Sequence, residues 1–209
     1  MPYFNEYCEP NTLQAHGIVV LEKKHHAIKT LKRKHKPSIH GHKLWHSSFL
    51  LMDYLNFHPL PNKASLLEVG CGWGTTSIFC AKRFNAKATG VDLDPSVFPY
   101  LQILADFNQV TINTEQAPLE KLSKTKLAHH HTVLGTDICF WDELVNKVYN
   151  LIRRSLQAGV KQVVLADPGR STFHQLAERC SKKYSTECHP WYTQDPEFIS
   201  GYILCVNGS

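Results

Sequence analysis

The segment Glu68-Val-Gly70-Cys-Gly72-Trp-Gly74 combines a carboxylate with glycines at every second position. Glycine lets the backbone turn tightly, and it lets a ligand approach without meeting a β-carbon. The spacing is G-x-G-x-G, whereas dinucleotide sites show G-x-G-x-x-G and place a pyrophosphate at a helix N-terminus. The spacing therefore favours a ligand that lies along the loop without phosphate contacts.

A second acid, Asp92, lies 18 residues beyond Gly74 in the segment GVDLD. In doubly wound nucleotide-binding folds, a carboxylate at this distance binds ribose hydroxyls. Glu68 and Asp92 flank the glycine loop without a phosphate-binding basic residue, which suits a cationic ligand that bears a ribose. One alternative is a ligand-free fold in which the glycines only make a tight turn. The main rival among cofactor-binding proteins is an NAD-dependent oxidoreductase.

The segment 135–143 (GTDICFWDE) holds a third group of candidate residues, after another predicted strand. Asp137 could hold or deprotonate an amine. Phe140 and Trp141 could line a channel and attract a cation through their ring faces. In the structural alternative, Asp137 caps a turn, the two rings fill the core and the acids that follow begin a helix. These residues alone leave both interpretations open.

The candidate residues lie at the ends of predicted strands that alternate with predicted helices. The strands are predicted at 64–69, 86–91, 110–113, 133–139 and 161–166, and the helices at 44–57, 75–84, 95–107, 142–156 and 172–182. Strands separated by helices predict parallel βαβ units, and hence a doubly wound α/β sheet. Two last strands, 185–189 and 199–206, have no helix between them and predict a C-terminal antiparallel hairpin.

The first 43 residues have a different composition from this alternating region. Residues 1–43 are polar and contain the basic run Lys29–Lys36 (KTLKRKHK), so we expect a basic N-terminal arm or helical extension. Residues 44–209 are expected to form the domain that carries the site. A basic run of this kind is typical of a solvated helix face or a mobile arm. Nucleic acid is a possible but less favoured partner for it.

Residues 66–94 (LLEVGCGWGTTSIFCAKRFNAKATGVDLD) resemble the first two motifs of the class I, seven-stranded S-adenosylmethionine-dependent methyltransferases, and the likeness extends over about residues 40–206. The resemblance implies a Rossmann-like, mostly parallel seven-stranded sheet with a final antiparallel strand. It implies S-adenosylmethionine as the cofactor and S-adenosylhomocysteine as its product. It also implies that Glu68 lies near the methionine moiety, that the three glycines lie beneath it and that Asp92 binds the ribose.

Two further cofactor contacts are implied by the same resemblance. The family's adenine contact follows the third strand, here in the segment 113–117 (NTEQA). Gln116 is the favoured contact with the adenine amine, and Glu115 is the alternative. The segment LWHSS resembles the family's tryptophan-containing segment behind the cofactor, so Gly41 and Trp45 would border the methionine end.

The substrate side resembles one branch of this family. Asp137-Ile-Cys-Phe140 is similar to the D-x-x-Y/F motif of the seven-stranded protein lysine methyltransferases. Asp167-Pro-Gly-Arg170 resembles a segment of the branch that modifies the electron transfer flavoprotein β subunit. The resemblance implies a protein substrate, with Asp137 positioning a lysine amine in a channel shaped by Phe140 and Trp141. A small-molecule methyltransferase on the same fold and a catalytically silent cofactor-binding module remain as alternatives.

Composition sets the broad class of the protein. The chain has 209 residues, of which 43% are hydrophobic and 20% charged, and its net charge is +5, as expected for one soluble globular domain. It shows neither a secretory signal nor an apolar run long enough to span a membrane. Seven scattered cysteines without a CxxC pair favour reduced thiols in the cytoplasm. The histidine clusters (His25-His26, His40 with His42, and His129–His131) lack metal-ligand spacing, so we predict no metal site.

Overall fold

The computed structural model describes residues 9–37, 40–41 and 43–208 of the chain. Its helices and strands follow one another in this order: β1 (Thr12–Ala15), β2 (Ile18–Leu21), α1 (His26–Lys34), α2 (Ser47–Phe57), β3 (Ser65–Val69), α3 (Thr75–Phe84), β4 (Lys87–Asp92), α4 (Phe98–Phe107), β5 (Asn113–Gln116), α5 (Lys124–Leu127), β6 (Thr132–Thr136), α6 (Asp142–Gln157), β7 (Gln162–Asp167), α7 (Ser171–Ser181), β8 (Ser185–Thr193) and β9 (Ile199–Asn207). No described helix is long and apolar enough to cross a membrane.

Seven strands form one sheet in the order β5-β4-β3-β6-β7-β9-β8. The first five run parallel to their neighbours, and β9 pairs antiparallel with both β7 and β8. The central strands are almost continuously apolar because helices cover both faces of a parallel sheet. The predicted α/β, doubly wound, seven-stranded fold with a C-terminal antiparallel hairpin is confirmed.

The hydrophobic core lies in two layers, one on each face of the sheet. One layer contains the buried residues of α2, α3 and α4, such as Phe49, Phe79 and Tyr100. The other contains those of α6 and α7, such as Ile152 and Phe173. The carboxyl ends of the parallel strands stay open between these layers, where ligands of doubly wound folds bind.

The third strand of the parallel series begins at Asn113 rather than at Val110, which corrects the predicted bounds. Gln109 has a φ of 58° and follows the end of α4. Its N–H donates to Asp106 and the N–H of Val110 donates to Ala105, so α4 ends in a Schellman motif. Val110 packs against the core at this helix end. Its apolar side chain therefore gave the segment the sequence pattern of a strand.

The described part of the N-terminal region folds onto the domain as a hairpin and a helix. Strands β1 and β2 pair across His16 and Gly17, which both have positive φ angles, as a two-residue type I′ turn requires. The sequence analysis did not anticipate this hairpin. Helix α1 buries Ala27 and Ile28 and exposes much of the basic run. Residues 1–8, 38–39 and 42 of the predicted arm lie outside the described residues, as does Ser209.

The cysteines of the described ranges are all free thiols, as expected for reduced cysteines. Five of these six side chains are buried, and Cys188 on β8 is exposed. Cys8 lies outside those ranges. The thiols therefore behave mainly as small apolar groups of the core.

Candidate functional site

The glycine loop connects β3 to α3, and its three glycines have φ angles of 63°, 51° and 68°. A β-carbon on Gly70 would lie 2.6 Å from Cγ2 of Ile138, and one on Gly74 would lie 2.5 Å from Cδ1 of Leu101. A β-carbon on Gly72 would meet nothing within 4 Å. Close packing therefore requires the outer two glycines, whereas Gly72 leaves open space for a ligand beside the backbone.

Asp92, at the end of β4, holds the glycine loop in place. Its Oδ2 accepts the N–H of Gly72 at 3.0 Å, and its Oδ1 accepts the N–H of Asp94 at 3.0 Å. Burial raises the pKa of Asp92, and these two backbone hydrogen bonds oppose the rise. Each carboxylate oxygen can accept more than one hydrogen bond, so Asp92 can still receive the hydroxyls of a ribose.

Glu68 lies at the end of β3, and only 2% of it is exposed. Its Oε2 accepts the backbone N–H of Ser77 at 3.0 Å and the hydroxyl of Ser77 at 2.6 Å. Burial raises its pKa to about 7 against these stabilising bonds. Gly74 precedes α3 and has no side chain to cap it, so Glu68 satisfies one of the helix's free N–H groups. Its expected place beside a methionine moiety stays a prediction.

A cavity of about 470 Å³ opens in front of the glycine loop. This volume is in the range of small-molecule and cofactor sites. Its walls include Gly70, Gly72 and Asp92 on one side and Asp137 with Phe140 on the other. The structure thus brings four predicted cofactor residues and the three predicted substrate residues together around one space: Trp45, Gly70, Gly72 and Asp92 with Asp137, Phe140 and Trp141. Glu68, Gly74 and Gln116 are not among its lining residues.

The part of the cavity next to Asp92 is apolar. Leu93, Ala117 and Leu119 line it, and they offer surfaces on which a planar base can lie. Gln116, the predicted adenine contact, lies at the end of β5, and its Nε2 donates to the carbonyl of Leu93 at 3.3 Å. Glu115, the alternative, pairs with a lysine on α5. Gln116 therefore adjoins the cavity wall, and its contact with adenine stays a prediction.

Asp137 follows β6 and is joined to the loop after β7 through Arg170. Nη1 of Arg170 lies 2.7 Å from Oδ1 of Asp137 and 2.6 Å from Oδ2 of Asp167. Both aspartates are buried. Burial lowers the pKa of Arg170, but the hydrogen bond to Asp137 and the two negative charges outweigh it, so that the pKa is raised. Oδ2 of Asp137 accepts no hydrogen bond from a described residue and is left for a ligand.

Aromatic rings surround the cavity near Asp137. The ring of His40 lies 4.8 Å from Phe140 and 5.9 Å from Trp141, measured between centroids. Trp141 is 50% exposed, so it does not fill the core as the structural alternative supposed. Trp45 donates from Nε1 to the carbonyl of His40 at 3.1 Å, which places it in the same wall. Rings of this kind can attract a cationic group.

Trp73 and Tyr100 are site residues that the sequence analysis missed. Trp73 stacks on Tyr100 with ring centroids 5.1 Å apart, and its Nε1 donates to the carbonyl of Gly41 at 3.0 Å. The hydroxyl of Tyr100 donates to the carbonyl of His35 at 2.8 Å. These bonds hold the chain before α2 against the glycine loop. The one available signal was a tryptophan inside a glycine loop.

The structure brings Glu9 beside His25 and His26, with Oε1 at 2.9 Å from Nε2 of His25 and 3.3 Å from Nδ1 of His26. Three such groups could hold a metal ion. However, Nδ1 of His25 accepts the N–H of Ala27 at 3.3 Å and caps α1. A neutral imidazole then carries its proton on Nε2, the atom that faces Glu9. A metal would have to displace that proton, so the arrangement suits a helix cap better.

Residues 66–159 match the family model described as a methyltransferase domain. No curated protein sequence matches the chain.

Several solved structures share the fold. TrmN from Thermus thermophilus has a TM-score of 0.59 at 14% identity, and the match covers 78% of this chain and 49% of TrmN. A putative tRNA (m1A22) methyltransferase from Streptococcus pneumoniae has a TM-score of 0.54 at 13% identity, and the match covers 75% of this chain and 68% of that protein. TrmK from M. capricolum, solved with S-adenosylhomocysteine, has a TM-score of 0.55 at 10% identity, and the match covers 75% of this chain and 68% of TrmK. The chain spans about half the length of TrmN, and at these identities the likeness shows the fold.

Proposed function

We propose that this chain is a class I methyltransferase that uses S-adenosylmethionine, and that it methylates a nitrogen atom, the side-chain amine of a protein lysine. Residues 66–159 match a methyltransferase domain, and one protein of the same fold was solved with S-adenosylhomocysteine. The observation that carries the proposal is the carboxylate of Asp137. It is buried, it lines the same cavity as the glycine loop and one of its oxygens is left for a ligand. A hydrogen-bond acceptor in that position suits an amine acceptor.

The residues present fit the cofactor. Gly72 leaves the space that a side chain would fill, Asp92 offers acceptors for the ribose hydroxyls, and the apolar wall at Leu93 and Ala117 suits adenine. When bound, S-adenosylmethionine supplies an electrophilic methyl group, and the electron pair of the broken carbon–sulfur bond stays on the thioether product. The protein's own task is then to hold an unprotonated amine in line with that methyl group.

Asp137 can perform this positioning. Arg170 occupies Oδ1 and fixes the carboxylate, so an amine N–H can donate to Oδ2 and direct its lone pair away from the carboxylate. Asp137, Asp167 and Arg170 together carry a net charge of about −1, because two carboxylates surround one guanidinium. The site therefore attracts an ammonium group, and Asp137 can receive the proton that the amine loses.

The exposed aromatic side chains favour a macromolecular acceptor. Trp141 lines the cavity and is half exposed, and Tyr192 and Phe198 are 62% and 70% exposed on the terminal hairpin. The rings of Tyr192 and Phe198 lie 6.2 Å apart between centroids, and contiguous exposed apolar surface commonly marks a protein-binding site. A nucleic-acid acceptor is the second candidate, because the basic run on α1 faces solvent and one protein of similar fold is a putative tRNA methyltransferase.

Labelling separates these acceptors. Incubation with methyl-tritiated S-adenosylmethionine and a host lysate should place label in material that a protease degrades and a ribonuclease does not. Label only in ribonuclease-sensitive material would instead establish the nucleic-acid acceptor. Label only in small molecules would establish a small-molecule enzyme, and no label would favour the silent module.

The variant Asp137→Asn tests the residue that carries the proposal. We expect methyl transfer to fall by about a hundredfold or more, because the amine loses its carboxylate partner. Affinity for S-adenosylhomocysteine, measured by calorimetry, should stay nearly unchanged. Asp142→Asn is the matched control, since Asp142 is an exposed acid at the start of α6, and it should keep its activity. Unchanged turnover in Asp137→Asn would refute this role.

A further inference from the structure

A second cavity, of about 670 Å³, adjoins the cofactor cavity and shares Asp137 in its lining. Asp137, Trp45 and Trp73 are among the residues that line both cavities, so the two spaces lie side by side at the carboxylate of the proposed chemistry. The other walls of the second cavity come from the N-terminal hairpin, the start of α2, the loop after β7 and the turn between β8 and β9. The proposed function so far assigns nothing to this space.

We propose that the second cavity is the access channel of the acceptor, and that it admits a primary amine at the end of an unbranched alkyl chain. The proposal rests on the proposed function, since it concerns the acceptor of that same site. The cofactor fits the first cavity, and an acceptor therefore needs another way to reach Asp137. The second cavity supplies that access and ends at the carboxylate.

The walls suit an alkyl chain. Leu13 and Val20 are cross-strand partners of the hairpin, so their side chains lie on one face of it, and both line the cavity. Phe49 of α2 and Pro168 after β7 line it as well. Lysine side chains commonly lay their methylene groups along apolar surfaces of this kind while the charged end seeks a polar partner. Here that partner is Asp137.

Two of the three cations that line this cavity, Arg170 and Lys43, have partners. Arg170 lies between two carboxylates. Lys43 places its Nζ 3.9 Å from the ring centroid of Trp45, in a cation–π contact. Two exposed acids, Glu22 and Glu197, also line the cavity, beside one exposed lysine, Lys23. With Asp137 the acids of the lining equal its lysine and arginine cations in number, so its charge admits an ammonium group that approaches Asp137.

The test uses a bisubstrate probe, so that no natural acceptor has to be known. The probe is an S-adenosylhomocysteine analogue in which nitrogen replaces sulfur and carries an alkylamine arm; its partner compound carries a methyl group instead. Calorimetry on the wild-type protein should show that the arm raises affinity by about tenfold or more, through burial of its methylene groups. The methyl compound measures the cofactor cavity alone.

Two hairpin variants then locate the arm. Leu13→Trp should abolish the gain from the arm and leave affinity for the methyl compound unchanged. Gln14→Trp, its neighbour on the same strand outside the cavity lining, is the matched control and should keep the gain. A gain that survives Leu13→Trp would overturn the channel and leave the proposed function intact. No gain in the wild-type protein would overturn the amine acceptor itself.

A second measurement keeps the test decisive if Leu13→Trp fails to fold. A probe with a photoreactive group on its arm should label hairpin residues of the wild-type protein, as mapped by mass spectrometry. Labels confined to Leu144 and Lys147, which line only the cofactor cavity, would overturn the channel.

Discussion

Asp137 adopts a left-handed backbone conformation, with a φ of 55°. This region costs most residues about 1 kcal/mol, although aspartate and asparagine tolerate it better than others. The N–H of Asp137 donates to the carbonyl of Ala166 at 3.0 Å, and its side chain is bound by Arg170. Backbone and side chain are therefore both fixed at the end of β6. Asparagine keeps this conformation, removes the charge and replaces one acceptor oxygen by an NH2 donor, which makes it the informative substitution.

Gly72 offers a prediction about the cofactor cradle. Gly72→Ala should weaken binding of S-adenosylhomocysteine by about tenfold or more, because its β-carbon would project into the open cavity where a ligand approaches the backbone. The free energy of unfolding should fall by about 1 kcal/mol, since φ is 51° at this position. Calorimetry measures the affinity, and urea denaturation measures the stability.

Gly159 provides the matched control for that change. It also has a positive φ, of 93°, and a β-carbon there would likewise meet nothing within 4 Å. Gly159→Ala should therefore lose stability to a similar extent and keep its full affinity for S-adenosylhomocysteine. Equal affinities in the two variants would contradict the placement of the ligand over Gly72.

At the scale of elements, one buried asparagine joins the N-terminal hairpin to α4. Oδ1 of Asn108 accepts the N–H of Val19 at 2.8 Å, and its Nδ2 donates to the carbonyl of Val19 at 2.7 Å. The same Nδ2 donates to Leu104 at 2.8 Å. A single side chain thus forms hydrogen bonds with both backbone groups of one hairpin residue. On this edge of β2 it supplies the hydrogen bonds that a neighbouring strand would otherwise make.

Removing this side chain should loosen the hairpin. Asn108→Ala leaves both backbone groups of Val19 without their partner, so we expect the free energy of unfolding to fall by about 2 kcal/mol. Amide hydrogen exchange should quicken in β1 and β2 more than in the central strands. Asn113→Ala, at an exposed position of β5, should change neither quantity. Unaltered exchange in the hairpin of Asn108→Ala would show that apolar packing alone holds it.

The elements that could be predicted from sequence are those with a long periodic pattern. Helix α3 has the predicted bounds, Thr75–Phe84, because an apolar run follows a glycine loop there. The short strands β1 and β2 could not be predicted, since their turn is His16-Gly17 instead of a typical asparagine–glycine pair. Helix α4 ends with Gln109 in the left-handed conformation that glycine usually supplies, and this hid the true start of β5.

The candidate site divides in the same way. Gly70, Gly72 and Asp92 could be placed from sequence because their spacing reflects a local strand–loop–helix–strand unit. The direction of the Glu68 side chain could not be predicted from sequence, because it depends on a hydrogen bond with Ser77 at the start of α3. Nor could the contact of Trp73 with Gly41, because it joins two segments that only the complete fold brings together.

At the scale of the whole molecule, the sheet separates two layers that serve different steps of the proposed reaction. The hairpin and α2 pack in one layer, and they form the wall of the second cavity. Helices α6 and α7 pack in the other layer and support the segments that carry Asp137 and Arg170. The proposed acceptor channel therefore depends on the N-terminal region, which lies outside the segment that matches the methyltransferase domain model.

The stability of the whole fold should depend on the protonation of Glu68. Its pKa is about 7 in the folded protein, against an ordinary value of 4.5 in the unfolded chain. Between these values the folded state binds more protons, so the free energy of unfolding falls as pH rises through this interval. The slope for one proton is at most about 1.4 kcal/mol per pH unit. The loss of stability caused by ionising Glu68 is absent below the unfolded-state pKa and complete above the folded-state pKa.

Glu68→Gln isolates this contribution, because glutamine does not titrate and its carbonyl can still accept the N–H of Ser77. Urea denaturation between about pH 5 and pH 8 should show a steeper loss of stability in the wild-type protein than in the variant. All other titratable groups are common to both proteins, so their contributions cancel in the comparison. Glu115→Gln removes an acid that is partly exposed and ion-paired, and it should keep the wild-type slope. Parallel profiles for wild type and Glu68→Gln would mean that the buried carboxyl is ionised throughout, and that the first turn of α3 compensates its charge in full.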